Sequence, residues 1–221
     1  MIDFSGVSQA IVRIPSLSLA PGTTVITGPN GSGKSTFLRL CAGLALPESG
    51  SVGIDGRTPR ETEVGWVGEF PDQNLLFSRV YDEIAGPSLF AGAPCDETRR
   101  LVDDAARRLG IVDLLDRTVR SLSGGERALV GVATALSRHP HLLVLDEFDS
   151  HLDRETAEIV AEALERCPCR YLIRCTQDME TAALADTLLY FEKGVIVHAG
   201  SPKEVFSALQ GTCFYPESWG G

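Results

Sequence analysis

A glycine-rich loop at residues 28–35, with the sequence GPNGSGKS, is the segment whose residue types and spacing point most directly to chemistry. Its glycines let the backbone wrap so that successive N–H groups face phosphate oxygens, and a helix that begins here adds the positive end of its dipole. Lys34 can reach the β- and γ-phosphates of a nucleotide, and the Ser35 hydroxyl can bind Mg²⁺. The predicted phosphate-binding residues are Gly28, Pro29, Asn30, Gly31, Ser32, Gly33, Lys34, Ser35 and Thr36.

Two acidic residues, Asp146 and Glu147, follow the continuous apolar run 142–145. At the tip of a strand, Asp146 is placed to hold Mg²⁺ directly or through water. Glu147 is the natural general base for a water molecule that attacks the γ-phosphate. Two acids after a strand usually form an ordinary solvated loop, but together with the phosphate loop they predict one nucleotide site.

The elements that must position these residues alternate between strands and helices. The run 142–145 is typical of a strand buried on both faces, as in a parallel sheet covered by helices. This alternation predicts an α/β fold with a mainly parallel sheet. Strands are predicted at 7–14, 23–27, twice within 51–70, at 141–145, 170–175 and 195–198, and helices at 34–44, 97–110, 113–117, 126–137 and 154–166.

Composition excludes several classes of function. The 221 residues carry 20 basic and 30 acidic side chains, a net charge of −10, so we predict no nucleic-acid partner and no anionic bilayer held by long-range charge. An apolar run of roughly 18 residues, as a membrane-spanning helix needs, does not occur in the sequence. The first residues lack the pattern of a secretory signal. Six cysteines without paired spacing are predicted to be reduced thiols.

The segment LSGGE at 122–126, between the phosphate loop and the stretch LVLDEFDSHLD at 143–153, resembles the nucleotide-binding domain of ABC ATPases. The resemblance runs from about residue 2 to 206. It implies a P-loop NTPase fold of the ABC type, with an N-terminal antiparallel β-subdomain, and one domain over 1–221 with a helical lobe at about 80–125 and a short tail at 207–221. In this family the signature residues of one subunit close over ATP held by another, which implies nucleotide contacts for Ser123, Gly124, Gly125 and Glu126.

Further segments resemble particular members of this family. Residues 67–77 are similar to the Q-loop of energy-coupling-factor and cobalt-type importer ATPases, and 150–153 match the D-loop on the dimer seam. The resemblance implies Mg²⁺ and ATP as cofactors and a peripheral place at the cytoplasmic face of the membrane. It also implies an integral membrane partner that docks on Leu75, Leu76 and Phe77, although simple core packing of these three residues is an equal alternative.

Three positions depart from the family pattern. Glu69 stands where the Q-loop glutamine is expected, with Gln73 four residues later, and a carboxylate at this position could bind Mg²⁺. Gln177 replaces the switch histidine, so it can donate a hydrogen bond to the γ-phosphate but cannot carry a proton. Gln9-Ala10-Ile11 stands where an aromatic residue usually stacks on adenine, which predicts weaker and less base-selective binding.

These departures predict a heterodimer. The chain would supply its signature residues to a competent site on a second ABC ATPase subunit, and its own site would bind ATP and turn over slowly, with Glu147, Gln177 and Glu69 as catalytic residues. A homodimer with variant switch residues is one alternative. A soluble ABC-type ATPase without a transporter is another, and a P-loop kinase or GTPase is disfavoured by the LSGG segment.

Overall fold

The computed structural model describes residues 1–71, 74–148, 150 and 152–219, which divide into two compact units. The first unit contains 1–64, 144–147 and 170–221, and the second contains 65–143 and 148–169. The phosphate loop, the acidic pair and Gln177 all lie in the first unit, whereas the LSGGE segment and Glu69 lie in the second.

A three-stranded antiparallel sheet with the order β2-β1-β4 opens the chain: β1 is Ile2–Gln9, β2 is Val12–Leu19 and β4 is Ser49–Ile54. Buried residues alternate with exposed ones at the start of both strands, Ile2 and Phe4 in β1 and Val12 and Ile14 in β2, as in a sheet with one face on a core. The family resemblance predicted this antiparallel subdomain, and the prediction is confirmed.

A six-stranded sheet has the order β5-β6-β7-β3-β8-β9. Strand β3 runs parallel to β7 and β8, and β9 pairs antiparallel with β8. Every residue of β6 is buried, as the continuous apolar run predicted. The α/β fold with a mainly parallel sheet is therefore confirmed. The strands are Gly22–Thr27 (β3), Val64–Val67 (β5), Leu142–Asp146 (β6), Tyr171–Cys175 (β7), Thr187–Glu192 (β8) and Val195–Gly200 (β9).

Seven α-helices connect these strands within the described residues. Helix α1 carries Phe37, which is buried and whose ring stacks on Phe4 with centroids 4.9 Å apart and lies 5.2 Å from Phe191. These contacts fix the helix that begins at the phosphate loop. The helices are Lys34–Cys41 (α1), Val80–Phe90 (α2), Cys95–Arg108 (α3), Gly124–Leu136 (α4), Arg154–Glu165 (α5), Met179–Ala182 (α6) and Pro202–Leu209 (α7).

The structure corrects three predicted elements. The helix predicted at 113–117 is wrong, because only a short 3₁₀ turn forms there, at Val112–Leu114. The strand predicted at 7–14 is wrong, because a turn at Ala10 and Ile11 separates β1 from β2. Ala10 adopts a left-handed conformation with φ of 48°, which alanine rarely does and which nothing in its residue type signals. The helix predicted at 34–44 ends at Cys41, and Gly43 follows with φ of 70°.

Among the described residues, no helix has the length and apolar character that crossing a bilayer requires. Likewise, within that part of the chain, no group of three or more His, Cys, Asp or Glu side chains is arranged to hold a metal ion by itself.

Candidate functional site

The glycines of the phosphate loop are required by its backbone. Gly28 has φ of 140°, and a Cβ there would lie 2.1 Å from the carbonyl oxygen of Phe191 in β8. Gly33 has φ of 105°, and a Cβ there would lie 2.8 Å from Val12 Cγ2. Neither position accepts a side chain without moving a neighbour. The loop therefore passes closely over β8 and β2 before α1 begins at Lys34.

Lys34 is buried, with 5% of its side chain exposed, and its ammonium group is held inside the loop. The Nζ atom donates to the carbonyl oxygens of Gly28 at 2.9 Å and Pro29 at 3.2 Å, and it lies 3.5 Å from Glu147 Oε1. An ammonium fixed by short local contacts at the mouth of an amide-lined loop is suited to meet a phosphate group.

Ser32 in the same loop has a hydroxyl oxygen that is buried and has no hydrogen-bond partner. A buried polar atom without a partner costs free energy, and such atoms in native proteins often await a ligand. A phosphate oxygen would satisfy this hydroxyl, so the loop fits the triphosphate that its sequence predicts.

Ser35 and Asp146 place two oxygen atoms together, since Ser35 Oγ donates to Asp146 Oδ1 at 3.2 Å. Adjacent oxygens in an octahedral Mg²⁺ shell lie about 2.9 Å apart, given metal–oxygen distances of about 2.05 Å. A hydroxyl and a carboxylate at this spacing, one on α1 and the other at the end of β6, fit two positions of such a shell. The chemistry and spacing of this pair therefore suit Mg²⁺.

Glu147 has a strained backbone, with φ of 47° in a residue that is not glycine. Its N–H donates to the carbonyl oxygen of Cys175 at 3.1 Å, which holds the residue against the end of β7. A left-handed conformation in a non-glycine residue carries a cost and persists where the surroundings impose it, often at functional sites. Here it directs the carboxylate toward the phosphate loop.

Three donors converge on the Glu147 carboxylate. Oε1 faces Lys34 Nζ and accepts from the Cys175 thiol at 3.5 Å, and Oε2 accepts from Gln177 Nε2 at 3.1 Å. Gln177 Nε2 also donates to the Asn30 side chain at 3.2 Å. The structure thus brings together four residues that the sequence singled out, Asn30, Lys34, Glu147 and Gln177, and it joins two others, Ser35 and Asp146, in a separate pair.

Cys175 is a member of this cluster that sequence reasoning missed. Its side chain is fully buried at the end of β7, and burial, reinforced by the Glu147 charge, raises the pKa of the thiol. It is therefore a neutral hydrogen-bond donor at physiological pH. The sequence signal for its place in the site was its position two residues before Gln177. A cysteine in a strand is usually an ordinary core residue, so this signal was weak.

The LSGGE segment forms the start of α4 in the second unit. Ser123 is the N-cap: its Oγ accepts from the Glu126 N–H at 3.2 Å, while its own N–H donates to Glu126 Oε2 at 2.7 Å. Hydrogen bonds from the Ser123 N–H and hydroxyl lower the pKa of Glu126. A Cβ on Gly124 would meet nothing within 4 Å, whereas one on Gly125 would lie 2.6 Å from Thr156 Oγ1. The Gly124 side of this helix start is thus open to a ligand.

The segment after β5 contains the remaining predicted residues of this unit. Glu69 is exposed there, and Gln73 lies outside the described residues, as does His151 of the predicted D-loop. Leu76 is 81% exposed, while Leu75 and Phe77 are half-buried, so core packing does not account for Leu76.

An apolar surface surrounds Leu76. Phe90 is 77% exposed and its ring lies 6.2 Å from that of Phe77. The loop is held by buried Glu83 of α2, whose Oε2 accepts from the N–H groups of Leu76 at 2.8 Å and Phe77 at 2.6 Å. Sequence reasoning missed Glu83, because an acid in the first turn of a helix is common. This apolar surface consists of Leu76, Phe77 and Phe90, and Phe70 and Leu89 are further exposed apolar side chains of the same segment and helix.

Comparisons with known proteins agree with this geometry. Residues 12–150 match the family model described as ABC transporter. The chain is 34% identical over 193 residues to the energy-coupling factor transporter ATP-binding protein EcfA1 of Mycoplasma mobile, covering 82% of this chain and 70% of the relative. It is 39% identical over 195 residues to the molybdate/tungstate import ATP-binding protein WtpC of Archaeoglobus fulgidus, covering 85% and 80%.

A solved structure extends the comparison to the fold. The cbiO1 protein of Clostridium perfringens, described as part of the ABC transporter complex cbiONQ, superimposes with a TM-score of 0.80 and 26% identity over 95% of this chain and 91% of that one. The resemblance predicted from the sequence is therefore confirmed. Because the family match spans more than half of the sequence and includes the phosphate loop and the acidic pair, the chain belongs to the ABC transporter family and is one of its ATP-binding, ATP-hydrolysing subunits.

Proposed function

We propose that this chain hydrolyses ATP to power a membrane importer of the energy-coupling-factor class, as a peripheral subunit at the cytoplasmic face of the membrane. The observation that carries the proposal is the convergence of Lys34, the Ser35–Asp146 pair and Glu147 in one unit. Relatives named EcfA1 and WtpC, and a structural neighbour from the cbiONQ complex, support the transport role. Of these names only that of WtpC specifies a solute, molybdate or tungstate, so the proposal stops at the class of importer.

In this proposal, Ser35 and Asp146 would hold Mg²⁺, and the ion would neutralise charge on the phosphates. Lys34 leaves its carbonyl contacts and the Glu147 carboxylate to meet the β- and γ-phosphates, because phosphate oxygens are stronger acceptors for an ammonium group. Glu147, released from Lys34, then accepts the proton of the attacking water. Glu69 is a further proposed Mg²⁺ ligand and catalytic residue of this chain. The Ser123–Glu126 segment contacts the nucleotide that another subunit holds.

Gln177 is the residue that makes this site slow in our proposal. Its amide donates to Glu147 and Asn30, and the same group can donate to a γ-phosphate, but it adds no positive charge. Loss of an electrostatic contact of this kind slows chemistry by roughly a hundredfold. We therefore propose a heterodimer in which a second ABC ATPase subunit carries the faster site. The half-exposed Ile11, 3.6 Å from the Cβ position of Gly33, offers adenine an apolar but non-aromatic surface.

Replacing Gln177 with histidine is expected to raise the turnover of the isolated chain by about tenfold or more, because imidazole can carry a proton and a charge beside the γ-phosphate. Phosphate release at saturating Mg-ATP measures this effect. Gln177→Asn, which keeps a neutral amide, is the matched control and should not accelerate turnover. A Gln177→His variant no faster than the unmodified chain would contradict the proposed cause of slow turnover.

The apolar surface around Leu76 is the proposed docking site for the membrane partner. Leu76→Glu should remove at least 90% of the integral membrane protein that copurifies with the tagged chain, since a charge buried in an apolar contact is strongly unfavourable. Hydrolysis by the isolated chain should change less than about twofold. Leu184→Glu is the matched control, because Leu184 is equally apolar and 86% exposed outside this surface. Copurification unchanged by Leu76→Glu would place the partner elsewhere.

A further inference from the structure

The segment that follows α7 forms an ordered aromatic cluster. Trp219 packs on buried Phe206 of α7 with ring centroids 5.4 Å apart in edge-to-face geometry. Tyr215 lies 6.2 Å from Phe206 and 6.4 Å from Trp219, and Phe214 lies 5.3 Å from Tyr190 of β8. Edge-to-face ring pairs at these distances stabilise a fold by more than the burial of their apolar area alone. We name residues 214–219 the aromatic strap.

The aromatic strap also binds α6. The Ser218 hydroxyl donates to Glu180 Oε2 at 2.6 Å, and the Ser218 N–H donates to Glu180 Oε1 at 3.1 Å. On its inner face, α6 packs through Met179 and Ala182 into the same core cluster as Phe206. The strap and the core thus hold α6 from two sides.

Helix α6 needs such support because it has four residues, far fewer than a helix requires to be stable alone. Its N-cap is Asp178, whose carboxylate accepts from the N–H groups of Glu180 at 3.1 Å and Thr181 at 3.3 Å. The residue before this cap is Gln177. The other neighbour of Gln177 is buried Thr176, whose N–H donates to the carbonyl oxygen of Ile26 at 3.3 Å.

Gln177 therefore lies between two anchored residues. Thr176 is held by the sheet, and Asp178, whose N–H donates to Thr176 Oγ1 at 3.1 Å, is held in addition by α6, at whose start it lies. The Gln177 amide must stay within hydrogen-bond distance of Glu147 and of the phosphate position, and small displacements of a catalytic contact have large effects on rate.

We propose that the aromatic strap is a positioning device for Gln177, acting through the Ser218–Glu180 contact and the Trp219–Phe206 packing to fix α6. In this proposal the strap residues do not contact the nucleotide. They act by fixing the position of the Gln177 side chain. This inference rests on the proposed role of Gln177 at the γ-phosphate.

Ser218→Ala, Trp219→Ala and Gln177→Ala in the full chain, alone and in pairs, test the proposal by a double-mutant cycle. Each strap variant is expected to lower kcat by about three- to tenfold with KM for Mg-ATP unchanged. In the Gln177→Ala background the same strap changes should alter kcat by less than about twofold, because the group they position is gone. Ser207→Ala is the matched control: that exposed hydroxyl also makes a local bond, to the Lys203 carbonyl oxygen at 2.7 Å, and does not bind α6.

The outcomes separate the two proposals. If Gln177→Ala keeps the full kcat, Gln177 has no role at the γ-phosphate, and both the proposed role of Gln177 and the strap proposal are wrong. If Gln177→Ala is slow but the strap variants reduce kcat by the same factor in both backgrounds, the strap has a general structural role and only this inference is overturned. Ser218→Ala removes one exposed hydroxyl and leaves the Ser218 N–H bond to Glu180, so Glu180→Ala, which removes both bonds, is measured beside it and decides the outcome if Trp219→Ala fails to fold.

Discussion

Lys34→Ala is expected to abolish the thermal protection that Mg-ATP gives to the chain. The Lys34 ammonium is held at the mouth of the phosphate loop by two carbonyl oxygens and Glu147, so it is in place to meet the β- and γ-phosphates. Hydrogen bonds that involve a charged group contribute about 1.5–3 kcal/mol, and more than one is lost here, so affinity should fall by at least about a hundredfold. Thermal unfolding with and without Mg-ATP, together with a direct binding titration, measures the loss.

The quantity to compare is the increase in melting temperature that Mg-ATP causes, and not the melting temperature itself. Removing a buried ammonium leaves Glu147 and two carbonyl oxygens without that partner, which lowers the stability of the variant even without nucleotide. Lys203→Ala serves as the control, since Lys203 has the same charge but is exposed on α7. A Lys34→Ala variant that Mg-ATP still protects fully would mean that the nucleotide does not bind at this loop.

Glu147→Gln is expected to reduce hydrolysis by about 10²–10⁴-fold while leaving Mg-ATP binding intact. An amide has nearly the shape of the carboxylate, but it cannot take the proton of the attacking water. It also removes a negative charge that lies 3.5 Å from Lys34, so the ammonium leaves for the phosphates more easily and affinity should stay equal or increase. Single-turnover phosphate release and a binding titration separate the two effects.

The matched control for this variant is Glu165→Gln, which makes the same chemical change at an exposed position near the end of α5. Should Glu147→Gln hydrolyse ATP at the rate of the unmodified chain, the general base would have to be a different group. Equal losses of binding and hydrolysis would instead indicate that the substitution disturbs the loop.

The phosphate loop and the acidic pair were predictable from the sequence because their geometry is local. A strand, a tight glycine loop and a helix start are consecutive in the chain, and the loop conformation follows from which residues lack a side chain. The burial of β6 was predictable for a related reason, since a run without polar residues is compatible with a strand covered on both faces. Asp146 and Glu147 then follow at the end of that strand.

The contacts that complete the site were not predictable, because they join residues far apart in sequence. Nothing in the residue type of Cys175 signals that its thiol meets Glu147, and the strained φ of Glu147 results from how β6 ends beside β7. Glu83 looks like an ordinary first-turn acid until its carboxylate is seen to hold the backbone at Leu76 and Phe77. The continuous strand predicted at 7–14 was wrong because alanine gives no signal for the left-handed conformation that makes the turn at Ala10.

The most direct test of the account is the mass in solution, with and without Mg-ATP, of the Glu147→Gln chain mixed with the separately purified ATPase subunit proposed as its partner. If a triphosphate is held between Lys34 of one polypeptide and Ser123 of another, the two subunits should associate into a stable dimer when Mg-ATP is added. Adding Ser123→Arg to the chain, which fills the open side of the signature helix, should prevent closure without removing nucleotide binding at Lys34. A mass that Mg-ATP leaves unchanged, or a dimer that forms equally well with Ser123→Arg, would contradict the account.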